Sequence, residues 1–285
     1  MDRKEKIKIN HQKCILCGNC IDVCGSATLE IIDKKVVQTI PDLCSACGHC
    51  ALVCPTDAIS AVENSIHQFR IEKLSNELFD IEKILATKRS VRHFSNKKID
   101  RETLQKLIEY AEKAPSSSNL RKRNYIIIDD REKILKLEKA VLSKYKSLLK
   151  ILNPVLLSLI KLFSKNTYNN LLLTKKDILQ MQKQFESKKY PIFRNAQAVV
   201  VIYAPKDLQT KDDSIIAQQY LMLYAHSIKI DSCVIGYAQW AHKTLEKFFN
   251  IPKGYQIYAV NTLGYSKFPD DKTVVYEKQI SCKFL

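Results

Sequence analysis

Eight of the ten cysteines in this chain fall into two runs of one pattern. Cys14, Cys17, Cys20 and Cys24 form Cys-x2-Cys-x2-Cys-x3-Cys, and Cys44, Cys47, Cys50 and Cys54 repeat it. Three thiolates on one tight loop, with a fourth close behind, suit a cuboidal iron-sulfur cluster, and the spacing reads as iron-sulfur ligation. Eight cysteines in pairs would also suffice for structural zinc, but zinc does not call for three ligands on one loop. His49, inside the second run, is read as a spacer. Disulfides would be the reading for a secreted chain. Here no secretory n-region and h-region follows Met1, so the thiols are expected to stay reduced and to bind metal. With no apolar run of eighteen or more residues, the expected localisation is cytoplasmic.

Short β-prone pieces flank the thiols at Lys6 to Asn10, Leu29 to Ile32, Val36 to Ile40 and Ala58 to Val62. Residues 1–60 are too few and too polar for a large core, as expected where bound clusters supply folding energy. Together with the ending Cys54-Pro-Thr-Asp-Ala-Ile, the two runs resemble the bacterial two-[4Fe-4S] ferredoxins over about residues 5 to 62. Gly25 departs from that pattern by standing where the first run usually has proline. The resemblance implies that the fourth cysteine of each run serves the other cluster. The expected sets are Cys14, Cys17, Cys20 with Cys54, and Cys44, Cys47, Cys50 with Cys24. Gly18 and Gly48 are expected to let the backbone turn tightly around each cluster.

Residues 65–77 read as a linker, and from Phe79 the apolar spacing becomes helical. Lys88-Arg-Ser-Val-Arg-His-Phe94 then gathers three cations and a hydroxyl within five residues, enough to surround a phosphate. An amphipathic helix capped by Asp100 follows, ending in Ala114-Pro-Ser-Ser-Ser-Asn119. These two segments resemble the RRSxRxF and APSxxN motifs of the nitroreductase family. Pro191 to Ala204 is similar to its FxxAPxxIVV strand, Gln218 to His226 to its long central helix, and Ile257 to Tyr265 to its last core strand. The resemblance covers residues 78 to about 270.

It implies a mixed α+β domain, a homodimer and FMN at the subunit interface. Lys88, Arg89, Ser90 and Arg92 would receive the flavin phosphate, with Lys272 as the candidate for a C-terminal cation. Pro115, Ser116, Ser117 and Asn119 would line the flavin from the partner subunit. Ile235 and Gly236 would bring backbone to the ring's N5 edge. Arg121-Lys-Arg123 stands where the family has Gln-Pro-Trp and is expected to add cations beside the flavin. His226 is read as core, and Cys233 and Cys282 as inert thiols.

The fold class expected is therefore α+β: a ferredoxin-like two-cluster domain at 1–64, a linker at 65–77 and a nitroreductase-type FMN domain at 78–285. The net charge of +16 lies in the second part, and residues 131–190 alone carry fourteen Lys/Arg against four Asp/Glu. No RNA-binding aromatic signature, helix-turn-helix pattern or zinc finger accompanies this charge, so nucleic acid is not an expected partner. The stretch Leu148 to Phe163 is apolar with two lysines and Pro154. The preferred reading is a helical excursion that covers the flavin or extends the dimer, over peripheral contact with an anionic membrane.

Functionally, the resemblances imply an oxidoreductase. A low-potential donor such as ferredoxin or flavodoxin would feed two [4Fe-4S] clusters, then FMN, then a nitro compound, quinone or activated alkene. The alternatives are a non-catalytic electron carrier and a flavin-based redox sensor docking on a partner protein.

Overall fold

The computed structural model describes residues 6–44, 47–61, 66–70, 80–268, 272–276 and 281–284. Two compact units divide the chain, Met1–Thr87 with Phe268–Leu285, and Lys88–Lys267.

In the first unit, β1 (Ile7–Ile9) is followed by α1 (Asn19–Val23), β2 (Leu29–Ile32), β3 (Lys35–Gln38), α2 (His49–Leu52) and β4 (Ile59–Ala61). The β-prone pieces of the sequence form these four strands. β1 pairs antiparallel with β4, Ile7 opposite Ala61. β2 and β3 form a hairpin whose turn residues, Asp33 and Lys34, are both left-handed at φ 48° and 58°, as a tight twisted hairpin requires. The core is small: Ile7, Leu29, Val36, Ala51 and Ile59, completed by Cys20, with Cys14, Cys24 and Cys50 packed against it. Sulfur is thus part of what this module buries.

The linker expected at 65–77 contains a strand. β5 (Ile66–Arg70) pairs antiparallel with Lys272–Tyr276, from Ile66 opposite Tyr276 to Arg70 opposite Lys272. A helix, α3 (Asp80–Thr87), then ends this part of the unit. The partner of β5 lies about two hundred residues further on, where no local pattern could announce it.

The second unit runs α4 (Arg101–Glu112), β6 (Asn124–Ile128), α5 (Arg131–Ile151), α6 (Pro154–Phe163), α7 (Lys165–Glu186), β7 (Ala198–Pro205), α8 (Leu208–Ser227), β8 (Asp231–Val234), α9 (Gly236–Trp240), α10 (His242–Phe248) and β9 (Tyr255–Gly264). Its strands form one antiparallel sheet in the order β6-β7-β9-β8. The strand Lys272–Tyr276 that returns to the first unit is β10.

Both faces of the central strands are covered, which is why Ala198-Val-Val-Val-Ile202 is apolar without interruption. Ala198, Val200 and Ile202 join Leu104 and Leu107 of α4 and Ala217 and Leu221 of α8 in one layer. Val199 and Val201 join Ile134, Leu137 and Val141 of α5, Ile178 and Met181 of α7 and Leu245 of α10 in the other. A register shift at Ile202/Tyr203 passes over Tyr258, so Ile257 enters the same layer as Val260.

Helix starts follow side-chain capping chemistry. Asp100, Asp130, Asn153, Ser164 and Asp207 each accept a backbone N–H of the first turn. The basic segment 131–190 is three helices, and two of them, α5 and α7, supply core to the sheet. Only α6 fits the description of an excursion. Among the described residues no helix is long and apolar enough to cross a membrane.

Candidate functional site

Two groups of chemically capable side chains stand out, one in each unit. In the first, the two cysteine runs superpose in role at an offset of thirty residues. Gly18 and Gly48 precede α1 and α2 with φ of 78° and 74°, the left-handed turn that glycine adopts without strain. The Thr28 N–H donates to Cys24 Sγ at 3.3 Å, and the Ala58 N–H donates to Cys54 Sγ at 3.2 Å. Such donors stabilise negative sulfur. Gly25 takes no left-handed conformation, and Ala27 and Asp57, again thirty apart, do so instead at φ 46° and 49°.

The electrostatics bring thiols of the two runs close to one another. Burial pushes the Cys20 thiol up to about 11, and the nearby thiols that add to this are Cys14, Cys17 and Cys54. Cys50 is pushed up further, first by burial and then by Cys47, Cys24, Cys44 and Cys20. Crowded thiolates away from water call for a compensating cation, which iron provides. The sulfur donors and the backbone N–H bonds to Cys24 and Cys54 suit iron-sulfur clusters, while among the described residues no three ligating side chains converge as a ready-made metal site. His49 is buried at the start of α2.

In the second unit, the segment holding Lys88 to Phe94 lies along the sheet's β8 edge. Ser90 bridges Ser232, and the Val91 N–H donates to Ser232 O at 3.1 Å. Further on, Phe94 bridges Ser266, and the Ser95 N–H donates to Tyr265 O at 2.8 Å. Lys88 Nζ donates to Arg89 O at 2.7 Å, Arg89 Nη1 to Lys88 O at 2.6 Å, and Arg92 Nη1 to Ser90 O at 3.4 Å. Burial holds Lys88 below the ordinary lysine range. Cys233 and Asp231 oppose that shift, while Arg89 and Arg92 add to it by repulsion. Cations pressed together at a partly dry edge are a place where an anion relieves strain, so the run fits a phosphate.

β8 leads directly into Ile235 and Gly236. The Ile235 N–H donates to Val260 O at 2.9 Å, fixing the end of the strand. At Gly236 no heavy atom lies within 4 Å of where a Cβ would sit, leaving open space beside its backbone. The basic run and the Ile235–Gly236 segment are thus neighbours on one strand. The Pro115–Asn119 turn is held by α8 instead: the Ser117 N–H donates to both Asp213 oxygens, at 3.0 and 3.2 Å. Ser118 and Asn119 are left-handed at φ 50° and 55°. Ser116 Oγ accepts the Arg121 N–H at 3.1 Å, and Asn119 Oδ1 accepts from Arg121 Nε at 3.1 Å.

Three features were not legible beforehand. Arg123 is buried and donates to Ala114 O, Pro115 O and Asp213 O at 3.1 to 3.3 Å, with Nε 3.3 Å from Glu112 Oε1. It builds the turn, and its charge is turned inward rather than added beside a ligand. Asp213 does the same from α8. Arg194, left-handed at φ 55°, sits in the field of Arg92, Glu138 and Cys233. Nothing in its sequence setting marks it, because its neighbours come from four other elements or loops. Lys272 lies in β10 opposite Arg70 and belongs to the first compact unit, while Lys88–Arg92 belongs to the second. His226 lies with Nδ1 3.9 Å from Asp231 Oδ1. Cys233 is buried and Cys282 exposed.

Residues 85–265, more than half of the chain, match the model of the nitroreductase family. The chain belongs to that family. Residues 7–61 match a 4Fe-4S dicluster domain, so this nitroreductase-family chain carries a ferredoxin module ahead of its larger domain. A protein of Archaeoglobus fulgidus, named as a candidate NADH dehydrogenase/NAD(P)H nitroreductase, is 24% identical over 204 residues, 68% of this chain and 88% of its own. A nitroreductase with bound FMN from Bacteroides fragilis is 17% identical, covers 73% of this chain and 98% of its own, and has a TM-score of 0.52. A variant of an FMN- and NADPH-dependent nitroreductase from a sphigopyxis strain is also 17% identical, covering 68% and 92%, with a TM-score of 0.50. These structures share the fold of the second unit.

Proposed function

We propose that this chain is an FMN-dependent reductase. It takes electrons from a low-potential donor through two [4Fe-4S] clusters and delivers them by way of FMN to a small organic acceptor, a nitro compound, quinone or activated alkene. The observation that carries this reading is the presence, on one chain of the nitroreductase family, of two four-cysteine runs within a 4Fe-4S dicluster match and a crowded cation run beside the Ile235–Gly236 segment. When bound, the clusters carry single electrons, and FMN exchanges either single electrons or a hydride.

The chain's own residues have defined tasks in this reading. Cys14, Cys17, Cys20 and Cys54 hold one cluster, and Cys44, Cys47, Cys50 and Cys24 the other. The Thr28 and Ala58 N–H groups stabilise charge on the two crossing sulfurs. Lys88, Arg89 and Arg92 neutralise the flavin phosphate, and Ser90 gives it a short hydrogen bond. Gly236 leaves room for the ring, and the Ile235–Gly236 backbone orients it. The Pro115–Asn119 turn, anchored on α8 rather than β8, is positioned to serve the flavin of a partner subunit in a homodimer. The bound FMN of the Bacteroides fragilis relative supports the cofactor assignment.

The test is anaerobic purification with iron, sulfide and flavin assays, followed by turnover of a nitroaromatic with chemically reduced ferredoxin as donor. Eight irons and one FMN per chain, with turnover well above that of free FMN, are expected. Zinc in place of iron would overturn the cluster assignment. Full cofactor loading without turnover of any nitro, quinone or alkene acceptor would favour an electron carrier.

A further inference from the structure

The basic leucine-rich segment is not used by the reading above, and its geometry points to a use of its own. From Lys139 to Lys176 the chain has eight lysines and no carboxylate. Between α5 and α7 in the chain lies α6, whose Leu157 is buried and which packs against α7. Its other face has no cover among the described residues. Val155, Leu159, Leu162 and Phe163 recur at helical spacing and are 71%, 51%, 81% and 88% exposed, with Ile151 just before the turn at 58%. Large aliphatic and aromatic side chains seldom stand together in water at such exposure. Asn153 caps the helix and Pro154 occupies its first position, so the helix itself is firmly specified.

We infer that α6 is an interfacial helix that docks this protein on an anionic lipid bilayer. The apolar stripe enters the headgroup and acyl boundary, while the lysines around it, Lys146, Lys150, Lys161 and Lys165, all exposed, meet lipid phosphates. Ten residues make α6 far too short to span. Charge selects this occupant over a second copy of the chain. A two-fold contact through α6 would set two copies of this lysine-rich stretch, without a carboxylate from Lys139 to Lys176, against each other. An anionic bilayer offers both the apolar interior and the opposite charge. This inference does not depend on the cofactor assignment, since no residue of α6 is placed in either cofactor site.

The experiment is flotation of the purified, cofactor-loaded protein with vesicles of phosphatidylcholine alone or mixed equally with phosphatidylglycerol. Binding to the mixed vesicles only, weakened by added salt, is expected. L162D/F163D should lower that binding by more than about tenfold. K161Q and K165Q should each lower it by about fivefold. Circular dichroism and cofactor content should match wild type in all variants. Absence of binding to the mixed vesicles would overturn the inference. So would a shift of L162D/F163D to a smaller oligomer in light scattering, which would assign the stripe to a contact between copies.

Discussion

At the scale of single residues, the two family-like motifs of the second unit turn out to interlock. A Cβ added at Gly264 would lie 2.6 Å from Phe94 Cδ1 and 2.9 Å from Cγ. The glycine of the Leu-Gly-Tyr ending is therefore the space that the phenylalanine of Lys88–Phe94 fills, and neither ring atom can swing away cheaply. Gly264→Ala is expected to lower stability by about 1–3 kcal/mol in thermal unfolding, with part of the loss recovered when Phe94→Leu is added. Lys88 gives a second residue-scale test. Its folded value lies below that of the unfolded chain, so between the two the unfolded state holds a proton that the fold gives up. Stability therefore rises with pH through that window, whereas phosphate binding, which needs the charge, weakens. Flavin fluorescence titrations should show FMN affinity falling as pH rises towards 10.5 in the wild type and holding to higher pH in Lys88→Arg, whose guanidinium keeps its proton. The cysteines and Lys88–Arg92 stood out in the sequence as candidates because ligand spacing and charge density are themselves the chemistry. Arg123, Asp213 and Arg194 were not, since each acquires its role from partners that only the fold brings near.

At the scale of elements, helices and strands were recovered where periodicity and caps agreed, as at Asp100 ahead of α4 and in the unbroken apolar run of β7. The segment 131–190 misled because its composition is dominated by exposed lysines. The residues of α5 and α7 that face the sheet, among them Leu137 and Met181, are as apolar as any core. A turn that must place polar groups accurately needs an element to hold it, and α8 does this for Pro115–Asn119 through Asp213. Ser118 and Asn119 are both held left-handed there, at a cost of order 1–3 kcal/mol each that the anchors offset. Asp213→Ala removes the acceptor of the Ser117 N–H. It is expected to let the turn relax, with FMN affinity falling about tenfold in fluorescence titration and stability falling by about 1–3 kcal/mol. An unchanged affinity in a dimeric, folded variant would remove Pro115–Asn119 from the flavin site.

At the scale of the whole molecule, residues from both ends of the chain share one compact unit. β10 leaves the second unit after β9 and pairs with β5, so the C-terminal residues complete the unit that contains the cluster module. The sequence hides this because β5 and β10 are short, and pairing across some two hundred residues leaves no periodic trace. The arrangement bears directly on Lys272, the residue proposed for the flavin phosphate by analogy with a C-terminal cation. Ending the chain after Lys267 would remove Lys272 and leave β5 without its partner strand. If β10 serves the first unit, the shortened protein should lose iron faster under chelator challenge and unfold its cluster module at lower temperature. Its FMN affinity, set by Lys88, Arg89 and Arg92, should then stay within about threefold of wild type, because one phosphate contact fewer would by itself cost more than that. If FMN binding collapses as well, and Lys272→Gln in the full chain reproduces the collapse with iron retention intact, then Lys272 belongs to the phosphate site.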